Sequence, residues 1–183
     1  MARIKGSGLI HAVKSLRTYG GGKTHLPPRL RKYLTERILP SSWFPEEDHL
    51  EIIRALGKVL PRVLEDSKED VYVSMGRAAA KQDLATIYAS SVRPGDVLGT
   101  LTYGVAMWRT YHDTGSLTVT SAGPNHICLE LVGYELPSTE MCRITLGWTT
   151  EWVKKAGAKD IRMRELQCCA NGAKSCVWDI DWK

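Results

Sequence analysis

The sequence predicts an α+β fold in which N-terminal helices precede an antiparallel sheet, two hairpins around one helix, packed on helices. Two observations carry this. Apolar residues recur at helical spacing from Leu9 to His112, and beyond Gly115 they alternate as strands do, with one further helical stretch between two such blocks. Turn residues punctuate the alternating blocks at Ala122-Gly123-Pro124-Asn125 and at Asn171-Gly172.

In chain order, Leu9, Ile10, Val13 and Leu16 form the stripe of a short amphipathic helix that Gly20-Gly21-Gly22 ends. Gly22-Lys23-Thr24 is a connector rather than a phosphate loop, since no strand precedes it and Arg17 stands where the motif needs glycine. Pro27-Pro28 opens a helix expected to run to Leu39, with Leu30, Tyr33, Leu34 and Ile38 on one side. Pro45 starts another, its first-turn acids Glu46, Glu47 and Asp48 suiting the positive end of the helix dipole. The inner face of that helix is Ile52, Ile53, Leu56, Val59, Leu60 and Val63, with a kink expected at Pro61. A third helix is expected from Val71 to about Val92, rich in small residues from Gly76 to Ala80 that permit close approach, within the chain or across a dimer. The fourth begins after Pro94-Gly95-Asp96 and places Val97, Leu98, Leu101, Val105, Trp108 and His112 on one stripe.

Leu117 and Val119, then Ile127 to Val132, make the first hairpin. Ser138 caps a helix whose stripe is Met141, Ile144, Thr145, Trp148 and Trp152, with Lys154, Lys155 and Gly157 at its end. In the second hairpin Ile161, Met163 and Glu165 share one face. Cys176, Trp178, Ile180 and Trp182 share another, with Asp179 and Asp181 turned to water. Cys168 has the wrong parity to join Glu165 in an unbroken strand, so the strand ends or bulges between them.

The 183 residues, 43% hydrophobic and 25% charged, suit one domain (69–183) with an N-terminal helical extension (1–68). The net charge of +5 arises early, at Arg29, Arg31, Lys32 and Arg37, and no DNA- or RNA-binding motif accompanies it, so nucleic acid is excluded as partner. No apolar run reaches the ~18 residues of a membrane span. Five cysteines, an odd number, without a signal peptide argue for a cytoplasmic protein with thiols or metal rather than disulfides. No G-x-S-x-G, H-E-x-x-H or dinucleotide fingerprint is present, and the chain is not expected to be an enzyme.

Cys142, Glu165, Cys168 and Cys176 are donors that zinc accepts, and four protein ligands make such a site structural rather than catalytic. Cys169, adjacent to Cys168, is an alternative donor, and cysteines packed as small core residues or left as free thiols are the plainer reading. The pattern Cys142, Glu165-x-x-Cys168, three residues, Gly172, three residues, Cys176 resembles the 4-vinyl-reductase-type domain, in particular the zinc-containing sensor domain of phenol-responsive transcription activators. Gly147-Trp148-Thr149-Thr150-Glu151-Trp152 is similar to a glycine-aromatic run of that family, though its second glycine is absent. The resemblance covers residues 70 to 183 and implies a standalone bacterial module of the family. It implies structural zinc on those four residues, and a small hydrophobic or aromatic ligand in an interior lined by Trp108, Tyr111, Trp148 and Trp152. It further implies a sensor or regulatory role exerted through a protein partner. A homodimer through the N-terminal helices is expected. Behind this reading stand an interaction module of the same fold with a filled core, and a haem-binding or tetrapyrrole- or aromatic-metabolism accessory protein. For haem, only His112 and His126 fall near the expected core, and Tyr88-Ala89-Ser90-Ser91-Val92-Arg93 is one residue longer than a Tyr-x-Ser-x-Arg signature.

Overall fold

A computed structural model describes residues 1–20, 22–60, 69–86 and 88–183. Its helices are α1 (Gly6–Tyr19), α2 (Gly22–His25), α3 (Glu46–Val59), α4 (Val71–Asp83), α5 (Val97–Tyr111) and α6 (Thr139–Lys155). Its strands are β1 (Arg3–Lys5), β2 (Trp43–Pro45), β3 (Ser116–Gly123), β4 (His126–Val132), β5 (Arg162–Gln167) and β6 (Cys176–Asp181). The chain forms two units. The first holds Met1–Val71 together with Thr110–Thr114, and the second holds Tyr72–Arg109 and Gly115–Lys183.

In the first unit α1 lays Leu9, Ala12, Val13 and Leu16 inward against α3, whose Ile52, Ile53 and Leu56 are all buried. The kink expected at Pro61 and the inward Val63 lie outside the described residues. The helix expected from Pro28 to Leu39 is a 3-10 helix that stops at Leu34. Its neighbours account for the change. Arg17 donates to the carbonyls of Tyr33 (2.9 Å) and Glu36 (3.3 Å), acceptors that a continuing α-helix would use, and the Tyr33 hydroxyl donates to Asp48 of α3 at 2.8 Å. Arg29 also pairs with Asp48 and Glu51. Two three-residue strands that periodicity did not announce, β1 and β2, pair antiparallel with Ile4 opposite Phe44.

The segment after α5 returns to this unit: Ile4 bridges to His112, and Asp113 takes both the backbone and side-chain N–H groups of Arg3, at 2.6 and 2.7 Å. His112 Nδ1 lies 2.7 Å from Oε1 of Glu46, a carboxylate only 1% exposed. Nearby His49 is buried with its Nδ1 lacking a hydrogen-bond partner, and burial, aided by His112, lowers its pKa to about 3. An unfolded histidine takes its proton near pH ~6.5. Between that value and about 3 the unfolded chain therefore binds a proton that the folded chain refuses, and stability falls as pH drops through this window. Urea midpoints should decline from neutral pH towards pH ~4, and His49→Gln should flatten part of that slope. An unchanged slope in the variant would place the acid sensitivity elsewhere.

In the second unit the strands run in the order β3-β4-β6-β5, all antiparallel. The inner face of β6 is the expected one: Cys176, Trp178, Ile180 and Trp182 are buried, and Ile127, Leu129 and Leu131 of β4 pack beside them. Asp179, expected in water, is instead buried on the opposite face, where Arg164 pairs with it and His126 lies 3.5 Å away. The β5 register shifts between Glu165 and Gln167, so the strand loses its parity before Cys168. Gly172, at φ 90°, closes the hairpin after a short 3-10 turn, Cys169–Asn171.

α6 is capped as expected, Ser138 Oγ accepting from the Met141 N–H at 3.2 Å. It meets α4 backbone to backbone: a Cβ at Gly76 would lie 2.1 Å from the carbonyl oxygen of Ile144, and one at Gly147 2.1 Å from that of Val73. Gly76 of α4 thus serves a crossing within the chain. α4 ends at Asp83 rather than near Val92, because the Asp83 carbonyl turns to accept from the N–H groups of Thr86 and Tyr88.

Candidate functional site

The terminal hairpin and the first turn of α6 bring three thiols together. Cys142 is one turn into α6, Cys168 follows β5, and Cys176 opens β6; all three are buried and reduced. Sγ of Cys142 lies 3.6 Å from Sγ of both Cys168 and Cys176, and the three sulfurs fall within 4.8 Å of one another. The Cys169 sulfur stays outside this group, and that residue contributes its backbone N–H to Cys176 Sγ at 3.3 Å. The Glu165 carboxylate reaches Cys142 without completing the cluster, and its Oε1 is buried with no hydrogen-bond partner.

Donation from the Cys142 thiol, with help from the Cys169 N–H, lowers the Cys176 pKa to about 6 against the opposing effect of burial. As donor to Cys176 in a dry site, Cys142 is pushed far up. The cluster joins α6 to both strands of the hairpin. Cys176→Ser, which shortens the acceptor and mismatches two donors, should cost about 1–3 kcal/mol in urea unfolding. Cys128→Ser, at a half-buried site outside the cluster, should cost little. Equal losses in both variants would remove the cluster as a stabilising feature.

The aromatic residues occupy α5 and α6. Trp148 and Trp152, one turn apart, meet edge to face at 5.1 Å between centroids. Tyr88 stacks edge-on to Trp148 at 5.7 Å, and Trp148 Nε1 donates to Asp83 at 3.3 Å. Trp108 meets Tyr134 at 5.6 Å. Tyr111 is the last residue of α5 and belongs to the segment taken up by the first unit.

Sequence reasoning missed Gly104 of α5. A Cβ there would lie 1.9 Å from Cη2 and Cζ3 of Trp152, so the indole rests directly on bare backbone. Trp152 is 6% exposed, and its Nε1 is buried without an acceptor. The Arg77–Glu151 pair, at 3.3 Å with Glu151 buried, was also unannounced. A second cluster, His126 with Asp179 and Asp181, lies on the outer sheet face, where Arg164 pairs with both carboxylates.

No protein-family model matches the sequence, and no curated relative matches it significantly. Solved structures do. An H-NOX protein from S. oneidensis in the Fe(II)NO ligation state is 15% identical and superposes with a TM-score of 0.66 over 98% of this chain and 99% of that one. An oxygen-binding H-NOX domain related to soluble guanylate cyclases, as its oxygen complex, is 14% identical with a TM-score of 0.64 over 98% and 95%. A structure concerned with modulating heme redox potential through protein-induced porphyrin distortion is 14% identical with a TM-score of 0.60 over 97% and 99%.

These likenesses correct the resemblance drawn from cysteine spacing: the architecture is not that of the 4-vinyl-reductase-type domain. The zinc expectation falls with it. The similar proteins are described with iron(II), oxygen and heme, and here the donors gather as three thiols without the carboxylate that was to complete four. Among the described residues no helix is long and apolar enough to cross a membrane. From end to end, the chain has the fold of an H-NOX domain.

Proposed function

We propose that this chain is a regulatory sensor module of the H-NOX fold, which reads a small molecule in its aromatic interior and passes the signal to a protein partner. The observation that carries the reading is the likeness over 98% of the chain to proteins described as complexes of NO and of oxygen. The ligand-facing residues proposed are Trp108, Trp148 and Trp152 of the second unit.

Haem is the first ligand to test against the residues present. Its iron takes an axial donor from the protein, most often a histidine, in an apolar slot. α5 and α6 carry no histidine, and the one histidine of the second unit, His126, lies on β4 with its Nδ1 3.0 Å from Asp181. His11, His25, His49 and His112 all belong to the first unit, and His112 is held by Glu46. A histidine-ligated haem therefore does not fit the interior of the second unit.

Thermal melts and tryptophan emission of the purified chain, with NO, oxygen, phenol and indole each in turn, test the proposal. A saturable rise in Tm with a matching emission change for any of them supports it, and no response to all four overturns it. A second copy of the chain, docked through the N-terminal helices, is part of the proposed assembly; a monomer by light scattering at high concentration would remove that part.

A further inference from the structure

The interior of the second unit holds a feature that the misfit with haem does not explain. α5 is the most apolar of the described helices, and midway along it a glycine leaves the backbone bare. A helix interior disfavours glycine by about 1 kcal/mol relative to alanine. What uses the gap is Trp152 from α6, whose benzo edge lies where any side chain at 104 would be. From that contact an aromatic column runs through Trp148 to the buried Tyr88, anchored by the hydrogen bond from Trp148 to Asp83.

The column was assembled at a cost, because the Trp152 Nε1 has left water without finding an acceptor. A ring chosen only to fill an apolar core would be better served by phenylalanine, which has no N–H to desolvate.

We infer that Trp152 is a built-in occupant of the α5–α6 interior: a side chain of the protein takes the flat volume beside Gly104 that a planar ligand would need, and the chain works without haem. This deepens the sensor reading and rests on it. The natural ligand is then a small molecule that acts on the tryptophan column, not a macrocycle that replaces it. Gly104 and Trp152 are a matched pair that sets this specificity, since neither a larger residue at 104 nor a macrocycle beside it fits while the indole is in place.

The test uses the full chain in two arms. In the first, wild type is titrated with hemin under reducing conditions and followed at the Soret band. The expected result is no saturable one-to-one absorbance; a stoichiometric Soret complex overturns the inference while leaving the sensor reading intact, with haem as its ligand. In the second, Trp152→Ala is melted with and without millimolar indole. The vacated volume should take the probe and raise Tm by several degrees more than any shift the same probe gives in wild type, as an apolar cavity binds a matching ring. A Trp152→Ala protein as stable as wild type and indifferent to indole overturns the inference. Should that variant fail to fold, Trp152→Leu is melted instead under the same two criteria, and the hemin arm stands by itself.

Discussion

Replacing Gly147 with alanine should destabilise the protein by about 3 kcal/mol, although alanine is the better helix former by about 1 kcal/mol. The new methyl group would meet the Val73 carbonyl oxygen at 2.1 Å, its carbon at 2.9 Å and the Arg77 nitrogen at 3.1 Å. These are backbone atoms of α4, which cannot rotate aside as a side chain could, so the two helices must separate. Separation would loosen the contacts that depend on the crossing, among them the Arg77–Glu151 pair and the Trp148–Asp83 hydrogen bond. Gly76→Ala, which meets the Ile144 carbonyl at the same distance from the other side, should cost a similar amount. The double variant should cost less than the sum, because one displacement relieves both clashes. Urea unfolding of the four proteins checks this, and a Gly147→Ala chain as stable as wild type would show that the crossing has room to spare.

His112→Ala should cost about 1–3 kcal/mol, the range for removing one partner of a buried hydrogen bond. Glu46 sits 1% exposed at the first turn of α3, with the imidazole Nδ1 2.7 Å from its Oε1. Removing the ring takes from this buried carboxylate the hydrogen bond that His112 makes with it. Pairing the change with Glu46→Gln, which lowers the desolvation penalty of the carboxylate, should recover part of the loss. A double variant less stable than the sum of the two single losses would contradict this account. The result is distinct from a general core defect, since truncating an ordinary apolar neighbour has no rescuing partner of that kind.

What could be read from the sequence depended on whether a residue's role left a periodic trace. The inward row Cys176, Trp178, Ile180 and Trp182 and the capping Ser138 follow from local rules, and the structure places them as expected. β1 and β2 left no trace because three residues are too few to show alternation. The early stop of the 3-10 segment at Leu34 depends on Arg17, more than ten residues upstream, which no local pattern connects to it. Asp179 was read as exposed because alternation tells which face a residue takes, not what covers that face.

Gly76, Gly104 and Gly147 each sit at a close helix contact in the second unit; the small-residue run at Gly76 announced close approach, while Gly104 and Gly147 registered only as weak positions in a helical pattern. Their meaning comes from what lies opposite, in segments that are distant along the chain. The cysteine frame misled for the converse reason. Spacing between Cys142 and Cys176 records that one helix and one hairpin meet, and unrelated architectures can share that arrangement. Of the four donors expected together, Cys142, Cys168 and Cys176 lie close to one another, while the family and the ion inferred from the frame are corrected.

The return of residues 110–114 to the first unit has a consequence for synthesis. A ribosome adding about 5–20 residues per second will have released all of α1 and α3 well before His112 and Asp113 appear. Until then Glu46 lacks its imidazole and Arg3 lacks its carboxylate, so the amino-terminal half emerges with its polar interior incomplete. Gene fragments ending near codon 71 should yield an unstable, protease-sensitive product, and extension through codon 113 is the shortest addition that supplies the missing partners.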